Sequence, residues 1–167
     1  SYVSVYNTNV YRGRDFYTAN VTGTEFRLTD KSNTYAVSGL FNLSQKYDPD
    51  TSNTFGYKYF AKFGKVSGNF LFSLSQYVES DTYDHNDLGF LRANNDFNNR
   101  LQFEYNIYEP FGKILEMWNE IDFRLNYLFS PREFTTFDID VNNRILWRNN
   151  LTTGFNIESE PFGAVDY

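Results

Sequence analysis

Residues 101–109, LQFEYNIYE, alternate apolar and polar positions without a slip. Leu101, Phe103, Tyr105 and Ile107 fall on one side, with Gln102, Glu104 and Asn106 on the other. A period of two is the signature of a β-strand with two unlike faces. The pattern recurs along the chain. In NTYAVSGLFNLSQ, Val37, Phe41 and Leu43 oppose Ser38, Asn42 and Ser44, and in FGYKYFAKFGK, Phe55, Tyr57, Tyr59, Ala61 and Phe63 oppose Lys58 and Lys62. GNFLFSLSQYVE sets Phe70, Phe72 and Leu74 against Ser73 and Ser75. IDFRLNYLFS and FTTFDIDVNNRILW repeat it, with Asp122, Arg124, Asp138, Asp140 and Arg144 on the polar side. LTTGFNIES alternates Phe155 and Ile157 with Asn156 and Glu158. Weaker strands are expected near residues 2–10 and 21–30, which brings the count to about nine.

The breaks between these runs carry turn residues. KSN (31–33), YDPDTSN (47–53), GKVSGN (64–69), EPFGK (109–113), SPRE (130–133) and RNN (148–150) each suit the reversal of an antiparallel chain. One connection, at about 79–98, is much longer. Composition agrees with an all-β chain: 18 phenylalanines and 14 tyrosines favour strands, against four prolines and one methionine. There is no cysteine, so disulfide and thiolate chemistry are excluded. A net charge of -6 and the lack of a lysine- and arginine-rich stripe argue against nucleic acid as a partner. No apolar run is long enough for a transmembrane helix, and the first residues show no signal-peptide pattern.

The apolar face must meet either a protein core or lipid. Strands of about 9–12 residues suit a tilted crossing of a bilayer. The charges Lys58, Lys62, Glu104, Asp122, Arg124, Asp138, Asp140 and Arg144 suit a polar lumen and not hydrocarbon. Tyr47, Phe55, Tyr77, Tyr108, Trp118, Phe129 and Trp147, near strand ends, are candidates for interfacial aromatic girdles. The mean hydropathy of -0.57 does not oppose this, because a membrane barrel needs only alternate strand residues to be apolar. The expected fold is therefore an antiparallel transmembrane β-barrel. An odd strand count and the need to pair every edge make it a fragment of a larger barrel, whose edges near 21–30 and 151–159 meet strands from elsewhere. A miscount of one strand would allow a closed barrel of eight instead.

Three stretches, SDTYDHNDLGFLRANNDFNN, YNIYEPFGKI and FNIESEPFGAVDY, resemble the C-terminal part of an uncharacterised family of Bacteroidota outer-membrane proteins. Asn86, Asp87, Gly89, Phe90 and Leu91 match that family's signature, and Asn94, Asn95 and Asp96 match it loosely. The resemblance implies that residues 1–167 are part of a C-terminal β-barrel in the bacterial outer membrane. In longer members a carbohydrate-binding-like β-sandwich precedes the barrel, so a saccharide ligand would bind through a domain not contained in this chain. The partners it implies are outer-membrane lipid and further barrel strands or a barrel-associated protein.

Candidate chemistry is sparse. Asp81, Asp84, Asn86 and Asp87 in the long connection offer oxygen ligands of the kind calcium takes, but without the spacing or closing glutamate of a calcium loop. A solvated loop braced by Asp and Asn turns is the plainer account. His85, the single histidine, has no nucleophile marked by a motif. Asp138 and Asp140 share a face, and compensation by Arg124, Arg144 or a neighbouring strand explains them better than acid–base chemistry. The sequence therefore predicts a non-enzymatic barrel component without cofactor or metal, anchoring or accompanying a surface or transport assembly. The rival readings are a solute channel or receptor for saccharide-like ligands, and a soluble carbohydrate-binding or adhesion β-sandwich.

Overall fold

The computed structural model describes residues 1–13, 16–85 and 94–165. These form nine strands: β1 (Tyr2–Val10), β2 (Thr18–Thr29), β3 (Tyr35–Tyr47), β4 (Thr54–Lys65), β5 (Phe70–Glu79), β6 (Asp96–Ile107), β7 (Ile114–Leu128), β8 (Phe134–Trp147) and β9 (Thr152–Ser159). Each strand pairs antiparallel with its neighbours in sequence, so one sheet runs from β1 to β9 in order. Among the described residues there is no helix and no second sheet.

The predicted all-β, antiparallel fold is therefore present, and the sheet is not closed: β1 and β9 each have a single strand neighbour. This sets aside the closed eight-stranded alternative. It also corrects the expected N-terminal edge, because β1 pairs with β2 along its whole length and takes the edge from residues 21–30. A second correction concerns β7, which begins at Ile114, seven residues before the alternation becomes readable at Ile121.

Connections fall alternately at the two ends of the sheet. The β2–β3, β4–β5, β6–β7 and β8–β9 turns are short, and the longest connection, β5–β6, lies at the opposite end. The β2–β3 turn shows how local chemistry closes a hairpin. The Asp30 carboxylate accepts backbone N–H bonds from Thr34 at 2.7 Å and Tyr35 at 2.9 Å, and also the Ser32 hydroxyl. Asn33 takes the left-handed backbone at φ 54°, a conformation asparagine tolerates better than most residues. The Ser32 bond and then the backbone donors hold the Asp30 carboxyl below its ordinary pKa.

Cross-strand register decides which side chains share a face. Leu74, Leu101, Phe123 and Ile139 are direct neighbours on β5 to β8, as are Phe72, Phe103, Ile121, Val141 and Ile157 on β5 to β9. No second layer covers this apolar face: Val5 is 74% exposed, Ile157 57% and Leu74 55%. Burial is inverted relative to a soluble sheet, because Asn42, Ser44, Ser73, Asn106 and Asp122, all on the polar face, are buried. Side chains from strands as far apart as β4 and β8, Lys62 and Asp138, line one groove there, so the sheet curls about its polar side.

Aromatic rings form two clusters on the apolar face, one near each end. Tyr35, Phe63, Phe72, Phe70 and Phe103 make a chain of ring contacts at the short-turn end, with centroids 5.9–6.4 Å apart. At the other end Tyr47 meets Phe55, Tyr57 meets Phe129, and Tyr127 meets both Phe97 and Phe134. Tyr47, Phe55 and Phe129 thus stand where a girdle was expected. Tyr77 and Trp118 do not. Register puts both on the polar face, where the Tyr77 hydroxyl donates to Glu79 and the Trp118 ring carries the Arg144 guanidinium at 4.1 Å.

Candidate functional site

All eight charges that the sequence singles out lie on the polar face. One row runs straight across five strands: Lys62, Ser75, Arg100, Arg124 and Asp138. The next row toward the short turns is Gly64, Ser73, Gln102, Asp122, Asp140 and Glu158. Each row by itself sets like charges side by side, Arg100 against Arg124 and Asp122 against Asp140, which is unfavourable across a strand pair. The two rows together resolve the conflict. Arg100 Nε donates to Asp122, Arg124 Nη2 donates to Asp140, and Arg124 Nε lies 3.6 Å from Asp122 and 4.0 Å from Asp138.

Asp122 is the hub, 1% exposed and bracketed by two arginines whose outer ends stay wet. A carboxylate this deep requires such partners, because an isolated buried charge costs far more than any neighbouring contact returns. Arg124 therefore compensates Asp138 and Asp140 as the spacing indicated. Arg144 has a different role, spread over Trp118 in a cation–π contact. Arg100 is the member that sequence reasoning missed. Its parity with Gln102 and Glu104 placed it on the polar face, but only cross-strand register reveals that it meets Asp122.

The long connection is not wholly solvated. Its first limb folds back onto the polar face of β3 and β4, where Tyr83 is 1% exposed. Gly56 makes room for it, since a Cβ there would overlap the Tyr83 backbone. The Asp84 amide donates to Ser44 Oγ at 3.1 Å, and Lys58 Nζ lies 4.9 Å from the centre of the Tyr83 ring. Asn94 Nδ2 donates to the Asp81 and Tyr83 carbonyls at 2.8 and 2.9 Å, which ties the two limbs together. Burial pushes the Tyr83 phenol up, against the Asn42 hydrogen bond that lowers it.

Of the oxygen ligands considered in this connection, Asp81 and Asp84 are exposed, and Asn86 and Asp87 lie outside the described residues together with Gly89, Phe90 and Leu91. The His85 ring sits 5.3 Å from that of Tyr83. Among the described residues no three His, Cys, Asp or Glu side chains gather as metal ligands.

The polar face opens into two larger grooves. One, of about 580 Å³, lies over the Arg100–Arg124 row between Lys62 and Asp138. The other, of about 620 Å³, lies toward the short turns and is bordered by Glu104, Glu120, Trp118 and Arg144. Both are lined by charged and polar side chains, and in the first the Thr136 hydroxyl donates to the Asp138 carboxylate at 3.2 Å. In comparison with known proteins, residues 1–167 match a domain of unknown function, DUF5916. No curated protein and no solved structure gives a significant match.

Proposed function

The chain belongs to this DUF5916 family, and we propose that it is a non-enzymatic part of a transmembrane β-barrel in a bacterial outer membrane. It would anchor or accompany a larger surface or transport assembly. One observation carries the reading: a broad apolar face that is exposed, almost free of charge and backed by an ionic lattice around the buried Asp122. Along the named strands only Lys65, at the end of β4, brings a charge to that face. A soluble sandwich would need a second sheet against it, and the described residues form one sheet. Lipid serves the same purpose without a second layer.

Dimensions support the reading. Phe97 to Ile107 on β6 spans ten residue steps, about 33 Å at roughly 3.3 Å each, or about 25 Å along the normal at a tilt of about 40°. That is the height of the apolar band of an outer-membrane barrel. The edges of β1 and β9 would leave rows of unpaired amides and carbonyls in hydrocarbon, at several kcal/mol for each group. Strands from elsewhere in the natural chain, or from another chain, would close the wall.

The two larger grooves favour a second reading, in which the barrel also admits or holds a polar, saccharide-like solute. Carbonate-washed membranes of the producing cell should retain the protein. Spin labels at Phe103, Phe123 and Phe137 should report lipid, and labels at Glu104, Arg124 and Asp138 should report water. Release of the protein into the soluble fraction, or equal accessibility of the two sets, would sink the barrel. Conductance of the reconstituted protein separates an open pore from a filled one.

A further inference from the structure

A third groove on the polar face, of about 210 Å³, crosses from β2 to β6. Its borders carry opposite charges, Arg27 and Lys62 on one side and Glu104 on the other, while Lys65, which also borders it, turns its ammonium toward the Phe70 ring on the apolar face. Between them the floor is small, with Ala36, Gly64 and Ser73 buried. These three charges stand apart from the ionic lattice, whose pairs use Arg100, Arg124, Glu120, Asp122, Asp138 and Asp140. Among the described residues the Glu104 carboxylate accepts one side-chain hydrogen bond, from Asn106 Nδ2 at 3.2 Å.

The wider setting strengthens the polarity of this groove. On β2 to β4 the polar face carries Arg27, Lys46, Lys58 and Lys62 against Glu25 alone. On β6 to β9 carboxylates predominate, with Asp96, Glu104, Glu116 and Glu158 added to those of the lattice. A field therefore runs across the trough, from a basic wall to an acidic one, in a place where low-dielectric strands concentrate it.

A lone anion would satisfy Arg27 and Lys62 but would be repelled by Glu104. A lone cation meets the reverse difficulty, and a neutral sugar leaves all three charges without a counter-charge. The geometry points to a small zwitterion as the ligand of this groove, its carboxylate toward Arg27 and Lys62 and its ammonium toward Glu104. The volume equals that of about seven waters at roughly 30 Å³ each, which fits a compound of dipeptide size. The inference rests on the barrel reading only in taking this face as a lumen.

Glycylglycine titrated calorimetrically at pH 7 and low salt into the protein extracted from its membrane tests the assignment. Acetate and methylammonium serve as the single-charge probes. Glycylglycine should bind at least about tenfold more tightly than either. Lys62→Glu and Glu104→Lys should each weaken it about tenfold, and the two changes together should recover most of the loss. Lys62→Gln and Glu104→Gln replace any reversal that does not fold. Absence of glycylglycine binding, acetate binding as tightly as glycylglycine, or a double variant no better than the singles would overturn the assignment. Membrane retention is scored beforehand on the same preparation, so a membrane-borne protein that ignores glycylglycine refutes the groove and leaves the barrel standing.

Discussion

The two faces of this sheet have the same strands and obey opposite rules. On one, Leu101, Phe123 and Ile139 lie side by side and exposed apolar groups extend in every direction. On the other, one residue along each strand, Asp122 is buried between two arginines. In a water-soluble sheet the apolar side would be hidden and the charged side wet. The inversion teaches that the environment on each side, and not burial alone, decides what a face tolerates. The apolar face asks its surroundings for nothing but the absence of charge. The polar face carries groups that need partners, and Asp122 and Arg124 find theirs through contacts spanning three strands.

The most damaging way to break that comparison is to move charge to the wrong side. Phe123→Arg should cost about 2–4 kcal/mol of membrane folding stability, if Phe123 faces the bilayer midplane. Asn126→Arg on the same strand should cost much less, because Asn126 already lies within 3.2 Å of the Asp138 carboxylate. Folding yields in lipid vesicles compare them, and equal yields would mean that the faces are not chemically distinct.

The next largest effect removes the hub of the polar face. Asp122→Ala takes the main partner from Arg100 and a secondary one from Arg124, while Glu120 and Asp140 remain nearby. About half of each arginine stays solvated, so the expected loss is reduced to about 1–3 kcal/mol, measured by urea unfolding in vesicles. A smaller and more local change comes from Gly56→Val, whose side chain would occupy the place of the Tyr83 backbone. Hydrogen exchange at 80–85 should rise severalfold, with β6 to β8 unchanged.

The smallest effect sharpens the comparison by lying outside both faces. Asp30 in the β2–β3 turn has a lowered pKa, chiefly through Ser32. Its contribution is fully present above the ordinary aspartate pKa and is lost as pH falls through the lower folded value. Asp30→Asn should flatten the acid limb of stability slightly, a difference readable in urea midpoints at pH 3 and pH 7.

Much of this was legible because period two is a direct readout of facing. The β8 bounds follow from FTTFDIDVNNRILW without adjustment, and the facing of Phe123 and Arg124 needed no structure. The start of β7 was hidden because ILEMWNE places apolar side chains at both parities: Ile114 and Trp118 on one, Leu115 and Met117 on the other. An irregularity in pairing between Ile114 and Glu116 accompanies that ambiguity. Trp118 and Tyr77 were misassigned by residue type, although their parity with Glu120 and Ser75 placed them on the polar side. The inward limb at Tyr83 left no local trace, since its cause lies at Gly56 and Ser44 on other strands.

The strictly sequential strand order bears on assembly as well as shape. Because every strand pairs only with those before and after it in the chain, each pairing closes a short loop at small entropic cost, except across β5–β6. The sheet can grow like a zipper, one hairpin at a time, with each added strand presenting the template for the next. β6 to β8 must all be in place before Asp122 and Arg124 find their full set of partners. A one-residue slip at either seam would turn that entire set toward the apolar side. The ionic lattice therefore rewards correct register seam by seam, Arg100 meeting Asp122 when β6 and β7 agree and Arg124 meeting Asp140 when β7 and β8 do.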